Sequence, residues 1–241
     1  MKLRVVMVAL VLGLLSGCGH PPADAKKSIP ARPKKSTPAR PRKADPAFAV
    51  VTDDPKLPRV LLIGDSISIG YTVPVRELLK GKANLHRIPV NGGPTITGLE
   101  KLKSWMGDVK WDVIHFNWGL HDLKFMDTGK QQVSVEDYEK NLRELVKQLK
   151  ATGAKLIWCA TTPVPDAEMK PPRKNADVIA YNVVAKKIMA ENGIAMDDLY
   201  AFALPQLTAI QRPANVHFTE DGSKVLAKQV VASIEAALPK P

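Results

Sequence analysis

Apolar residues along the chain recur with two periods. The run Arg59-Val60-Leu61-Leu62-Ile63 is continuous, rich in branched side chains and stops at Gly64, the pattern of a strand buried on both faces that ends in a turn. Shorter runs of the same kind at 85–88, 112–117, 154–160 and 194–196 read as four further strands. Between them, stretches at 73–80, 98–105, 135–152, 176–192 and 219–237 read as helices. The clearest is 135–152, where Tyr138, Leu142, Leu145, Val146 and Leu149 recur at helical spacing over charged positions. Strands that alternate with helices favour right-handed crossovers and a parallel sheet covered on both sides. The pattern therefore predicts one three-layer α/β/α domain over 56–241, with a mostly five-stranded parallel sheet.

The N-terminal residues follow neither period. Lys2 and Arg4 precede an apolar run over 5–15, too short to span a bilayer but long enough for the hydrophobic part of a secretory signal. It closes on Leu15-Ser16-Gly17-Cys18, which resembles the bacterial lipobox. That resemblance implies a signal peptide over 1–17, a lipid on Cys18 and anchorage in the cell envelope, and Gly19 in place of Asp favours the outer membrane. Residues 18–55 are dominated by Pro, Ala, Lys, Arg and Ser, with an imperfect octad over 26–33 repeated at 34–41. Such a segment cannot bury enough apolar surface to offset its ordering entropy, so it reads as a stiff, basic tether. Its charge serves either attraction to anionic headgroups or wall polymers, or solubility alone.

That tether also explains the charge. The 241 residues are 45% hydrophobic and carry a formal net charge of +11, but residues 1–46 hold ten Lys/Arg against two Asp. The remaining residues are nearly balanced, which disfavours a nucleic-acid-binding domain. The two cysteines are Cys18 and Cys159, so a disulfide framework within the domain is excluded.

Ligands of open parallel sheets bind outside the carboxyl ends of the strands. Four clusters fall there: Gly64-Asp65-Ser66, Asn91-Gly92-Gly93, Asn117-Trp118-Gly119-Leu120-His121-Asp122, and Val216-His217-Phe218-Thr219. A serine hydroxyl becomes an effective nucleophile when a histidine takes its proton, and Ser66 with His217 supplies that pair. Backbone amides in a tight turn, here those of Gly93 and Ser66, suit a developing oxyanion.

In order and placement these clusters resemble the SGNH, or GDSL-type, hydrolase superfamily, across residues 59–238. The resemblance implies a flavodoxin-like fold, Ser66 as nucleophile, His217 as general base, and an oxyanion hole that includes the Ser66 and Gly93 amides. The sequence departs from the family pattern twice. Where the third cluster has Asn before Asp, this chain has His121, which offers an N–H in its place; Asn117 is the less favoured substitute. Where the family has Asp three residues before the histidine, this chain has Ala214, which leaves Asn215 or a backbone carbonyl to orient His217. Asp65 and Asp122 read as supports of their turns.

Other groups read as structural. Asp197-Asp198 is expected to cap a helix, His86 and His115 to be packed or at the surface, and Cys159 to be a buried thiol. Trp118, beside the third cluster, is placed in the substrate cleft. No metal or cofactor motif is present. The reading is an extracytoplasmic ester hydrolase acting on O-acetylated glycan or another short-chain acyl ester, with lipase, lysophospholipase or thioesterase as the alternative and a non-catalytic binding domain as the rival. Oligomeric state is left open.

Overall fold

The computed structural model describes residues 45–239. The signal sequence, Cys18 and most of the tether lie outside the described residues. Five strands, Arg59–Ile63 (β1), Asn84–Arg87 (β2), Val113–Phe116 (β3), Lys155–Cys159 (β4) and Ala195–Asp197 (β5), form one parallel sheet in the order β2-β1-β3-β4-β5. Ser66–Leu78 (α1) packs along Glu220–Ala237 (α7), while Thr95–Met106 (α2), Val135–Lys150 (α3) and Asn175–Asn192 (α4) pack successively against one another. The two groups cover the two faces, and every residue of β3 is buried. The crossover from β1 runs to β2 on one side and that from β3 to β4 on the other, so the topological switch point lies where Gly64 and Asn117 follow β1 and β3.

The predicted strands and helices are all present, with two informative differences. Helix α1 begins at Ser66, not near 73, because Asp65 caps it by accepting the Ile67 amide at 2.9 Å. Pro74 sits inside the helix, and the carbonyl it leaves without a donor is that of the exposed Gly70. Between β5 and α7 the chain makes Leu199–Ala203 (α5), a 3₁₀ turn at Leu204–Gln206 and Leu207–Ile210 (α6), pieces too short for a period to show. Among the described residues, no helix is long and apolar enough to cross a membrane.

The boundary expected at 55 falls inside the packed body. Asp45 caps a 3₁₀ turn at Pro46–Phe48, and Arg76 donates to the carbonyls of Pro46 and Ala47 at 3.0 and 3.2 Å. Ala47 is buried, and Phe48 lies under the Arg87 guanidinium at 4.8 Å. Asn84 and Asp54 exchange two hydrogen bonds of 2.9 Å. One apolar anchor and these paired backbone groups suffice to hold a segment whose composition alone reads as tether.

Candidate active site

The switch point gathers the four clusters. Gly92 places its amide 3.0 Å from the Gly64 carbonyl, and a Cβ there would meet that oxygen at 2.9 Å, so the second cluster reaches the first only because residue 92 is glycine. Arg87 locks the approach: it donates to the carbonyls of Ile88 and Val90, both at 3.1 Å, and to Ser68 Oγ at 2.9 Å. Burial lowers its pKa to about 10, and it remains a cation. The third cluster is tied to the second through Asp122, whose Oδ1 accepts the Thr95 amide at 2.8 Å and the Thr95 hydroxyl at 2.5 Å at the start of α2. Full burial pushes this carboxyl up to about 7.

At the centre, Ser66 Oγ lies 2.8 Å from His217 Nε2. His217 is carried by the loop between α6 and α7, closed by a pair of backbone hydrogen bonds, Arg212 to His217 and Thr219 to Ile210, both at 2.9 Å. Gln211 fastens this loop by donating to the carbonyls of Val216 and Pro163. Asn215 Oδ1 receives the His217 backbone amide at 2.9 Å and faces His217 Nδ1 at 2.7 Å. An oxygen already accepting one N–H accepts a second from Nδ1, which leaves Nε2 as the acceptor for the serine proton. Ala214, immediately before, has φ 48°, a left-handed conformation that an L side chain adopts at a cost, and it aims Asn215 back at the ring. Burial holds the His217 pKa below the ordinary histidine range, against the upward pull of Asp65 and with Arg212 and Arg173 pushing the same way as burial.

The groups expected to meet an oxyanion are less uniform. Ser66 is the first residue of α1, where an amide has no intrahelical carbonyl to bond. The Gly93 amide is already donated to Asn91 Oδ1 at 3.0 Å, so its use on a substrate requires the exposed Asn91 side chain to move. His121 is partly buried, and its ring finds no hydrogen-bond partner among the described residues. Burial depresses its pKa first of all, with Asp65 opposing and Lys124, Arg173 and His217 adding to the depression, which favours the neutral ring. Asn117 points elsewhere, donating to the Cys159 carbonyl at 2.7 Å and Thr161 Oγ1 at 3.1 Å. It braces β3 against β4.

Trp118 is not in the cleft: it is 1% exposed, packed beside Phe116 and against Gly98 of α2. The side chain turns inward after β3, and its backbone carbonyl accepts the Tyr138 hydroxyl. Asp198 does cap α5, but Asp197 ends β5 buried, accepting His115 Nε2 at 3.0 Å and Gln229 Nε2 at 3.0 Å. His115, Cys159 and Asp197 have possible ligand atoms within 4.8 Å of one another. The Asp197 oxygens are nonetheless taken by His115, Gln229 and Ser233, which makes the cluster a strut between β3, β5 and α7. Arg173 escaped the sequence reading. It donates to the Leu120 carbonyl at 2.8 Å from the far end of the loop after β4, and only the folded chain brings it to the third cluster.

A hydroxyl hydrogen-bonded to an oriented imidazole, at the switch point of a three-layer α/β/α fold, defines a serine acylhydrolase. The chain belongs to the GDSL-like lipase/acylhydrolase family, which matches residues 62–225. Solved structures share the fold at low identity. A lipase/acylhydrolase from Enterococcus faecalis superposes with TM-score 0.65 at 22% identity, covering 76% of this chain and 98% of its own. An acetyl xylan esterase gives TM-score 0.63 at 18% identity, covering 73% and 99%. The acetylxylan esterase of Geobacillus stearothermophilus gives 0.57 at 21%, covering 73% and 94%. Comparison with curated proteins finds no match.

Proposed function

We propose that this chain is a serine ester hydrolase of the bacterial cell envelope, with Ser66, His217 and Asn215 as its catalytic triad. The observation that carries the reading is the relay Ser66 Oγ to His217 Nε2 at 2.8 Å and His217 Nδ1 to Asn215 Oδ1 at 2.7 Å. Ser66 Oγ attacks the ester carbonyl carbon as its proton passes to Nε2. The oxyanion of the tetrahedral intermediate is met by the Ser66 amide at the positive end of α1 and by the neutral His121 N–H, with Gly93 joining when Asn91 releases it. His217 returns the proton to the leaving alkoxide, and water then repeats the sequence on the acyl-serine. Asn215 fixes the tautomer but offers no charge to the imidazolium.

The envelope location is supported by the apolar run over 5–15 and the tetrad ending at Cys18. Acetyl xylan esterases among the structures of this fold favour an O-acetylated carbohydrate. The defining experiment is hydrolysis of a small activated acetate ester by the full chain, with Ser66→Ala and His217→Ala at matched folding. Turnover that both substitutions abolish is expected; equal rates in all three proteins would remove the reading.

A further inference from the structure

The cleft lined by Ser66 and His217 has a volume of about 370 Å³, and Arg212, Phe218, Glu220 and Ser223 share its lining. Arg212 begins the loop that carries His217: its backbone amide donates to the His217 carbonyl at 2.9 Å, and the residue is exposed. Arg173 arrives on the loop between β4 and α4. It is half-buried, donates Nε to the Leu120 carbonyl at 2.8 Å and Nη1 to the Pro171 carbonyl at 3.3 Å, and so is fixed at the residue before His121. Lys124 follows His121 on its own loop. None of these three cations forms an ion pair among the described residues. Glu220, the acidic residue of the cleft lining, is engaged by Lys224 at 3.4 Å. A half-buried guanidinium that donates only to carbonyls keeps its charge uncompensated, and a charge taken out of water is costly until an opposite charge meets it. The two site histidines register the imbalance, since the ionised groups acting on them are the Asp65 carboxylate on one side and Lys124, Arg173 and Arg212 on the other. Asp65 is itself buried, with Oδ1 accepting the Ile67 amide, so the field that reaches the open cleft is positive.

We propose that the substrate is an acylated acidic carbohydrate whose carboxylate pairs with Arg212 in the cleft wall, with Arg173 and Lys124 adding to the field that draws it in. The proposal rests on the ester-hydrolase reading and deepens it by naming the charge of the molecule that carries the ester. A planar guanidinium offers two parallel N–H groups to a carboxylate, which orients the sugar as well as attracting it. A neutral sugar would displace water from the Arg212 guanidinium without replacing it by an anion, so the same residue selects against uncharged esters.

The test compares acetate release by the full chain from acetylated methyl glucuronoside, with its carboxylate free, and from acetylated methyl glucoside, at a pH where His217 is unprotonated. At low ionic strength kcat/KM is expected to be about tenfold higher for the glucuronoside, the worth of a hydrogen bond to a charged group. The gap is expected to shrink as salt is raised toward about 1 M. Arg212→Gln, at an exposed site where folding is not at risk, is expected to bring the two sugars close to parity, mainly through KM, and Arg212→Lys to keep part of the preference. Arg173→Gln, which retains an N–H for the Leu120 carbonyl, is expected to lower the preference by a smaller factor. Parity or a preference for the glucoside in the unsubstituted protein would overturn the proposal. So would an Arg212→Gln variant that slows or speeds both sugars equally, which would leave the arginine only the task of keeping His217 unprotonated. If neither sugar is turned over, calorimetric binding of trigalacturonate decides, while turnover of the activated acetate ester judges the ester-hydrolase reading separately. Binding weakened severalfold in Arg212→Gln supports the proposal. Binding that is absent, or equal in the two proteins and so owed to the basic residues before 46, removes it.

Discussion

Asn215 Oδ1 stands 2.7 Å from His217 Nδ1 and 2.9 Å from the His217 amide, so one side chain holds both the ring and the backbone of that histidine. The family pattern places a carboxylate near this point, one residue earlier. The left-handed turn at Ala214 lets the next side chain reach the same nitrogen. The geometry of a triad is thus kept while its negative charge is not.

This separation of geometry from charge is measurable. Asn215→Asp keeps both acceptors and adds a charge that stabilises the imidazolium, so kcat is expected to rise, by roughly tenfold or less. The His217 pKa rises with it. In the present protein burial keeps the base unprotonated to lower pH than an ordinary histidine, so the acid limb of kcat/KM lies below the usual histidine range. In Asn215→Asp that limb moves to higher pH. Asn215→Ala frees the ring and is expected to lower kcat by about 10- to 100-fold. An acid limb that stays in place in both variants would remove Asn215 from the relay.

His121 is tested by restoring the family residue. A single oxyanion donor is worth roughly 10² to 10³ in kcat where it acts in the transition state. His121→Ala is expected to lower kcat by at least tenfold with little change in KM, and His121→Asn, which supplies an amide N–H, to recover most of it. Equal rates for the two variants would mean that the ring serves packing alone.

How much of this was legible in the sequence depends on the range of the interaction. Ser66 and His217 were readable because each follows a strand or precedes a helix whose apolar period is plain, and the two departures, His121 and Asn215, stood out against a known order. The Asp65 cap acts over two residues, yet the apolar period alone starts the helix it begins near 73. Arg173 to Leu120 spans 53 residues and Arg87 to Ser68 spans 19, and no local pattern marks a long cation whose partner is a carbonyl or a hydroxyl elsewhere. Trp118 was misplaced because adjacency to a catalytic cluster says nothing of which side of the strand end a side chain faces.

The strain at Ala214 predicts a stabilising substitution. Glycine adopts φ 48° without the clash that a Cβ brings, though it also loses more freedom on folding. Ala214→Gly is expected to gain a few tenths to about 1 kcal/mol in denaturant unfolding with kcat unchanged. Destabilisation would show that the loop from 210 to 219 holds residue 214 without strain.

Asp122 predicts how stability depends on pH. Its carboxyl is held at about 7 by burial and titrates near the ordinary aspartate value once the chain unfolds. Between those values the folded state binds a proton that the unfolded state has released, so stability falls as pH rises from about 4 to about 7 and levels off above. Among the described residues no compensating cation faces it: Oδ1 meets Thr95, Oδ2 has no partner, and the titratable groups that sense it are Asp65 and the hydroxyls of Tyr138 and Tyr181. Asp122→Asn retains an acceptor for Thr95 and cannot ionise. It is expected to remove this slope, making the variant more stable than the parent in urea at pH 8 and no more stable at pH 5. A parent slope of the opposite sign across that interval, or one that survives Asp122→Asn, would place the ionised carboxylate in a better-solvated setting than its burial implies.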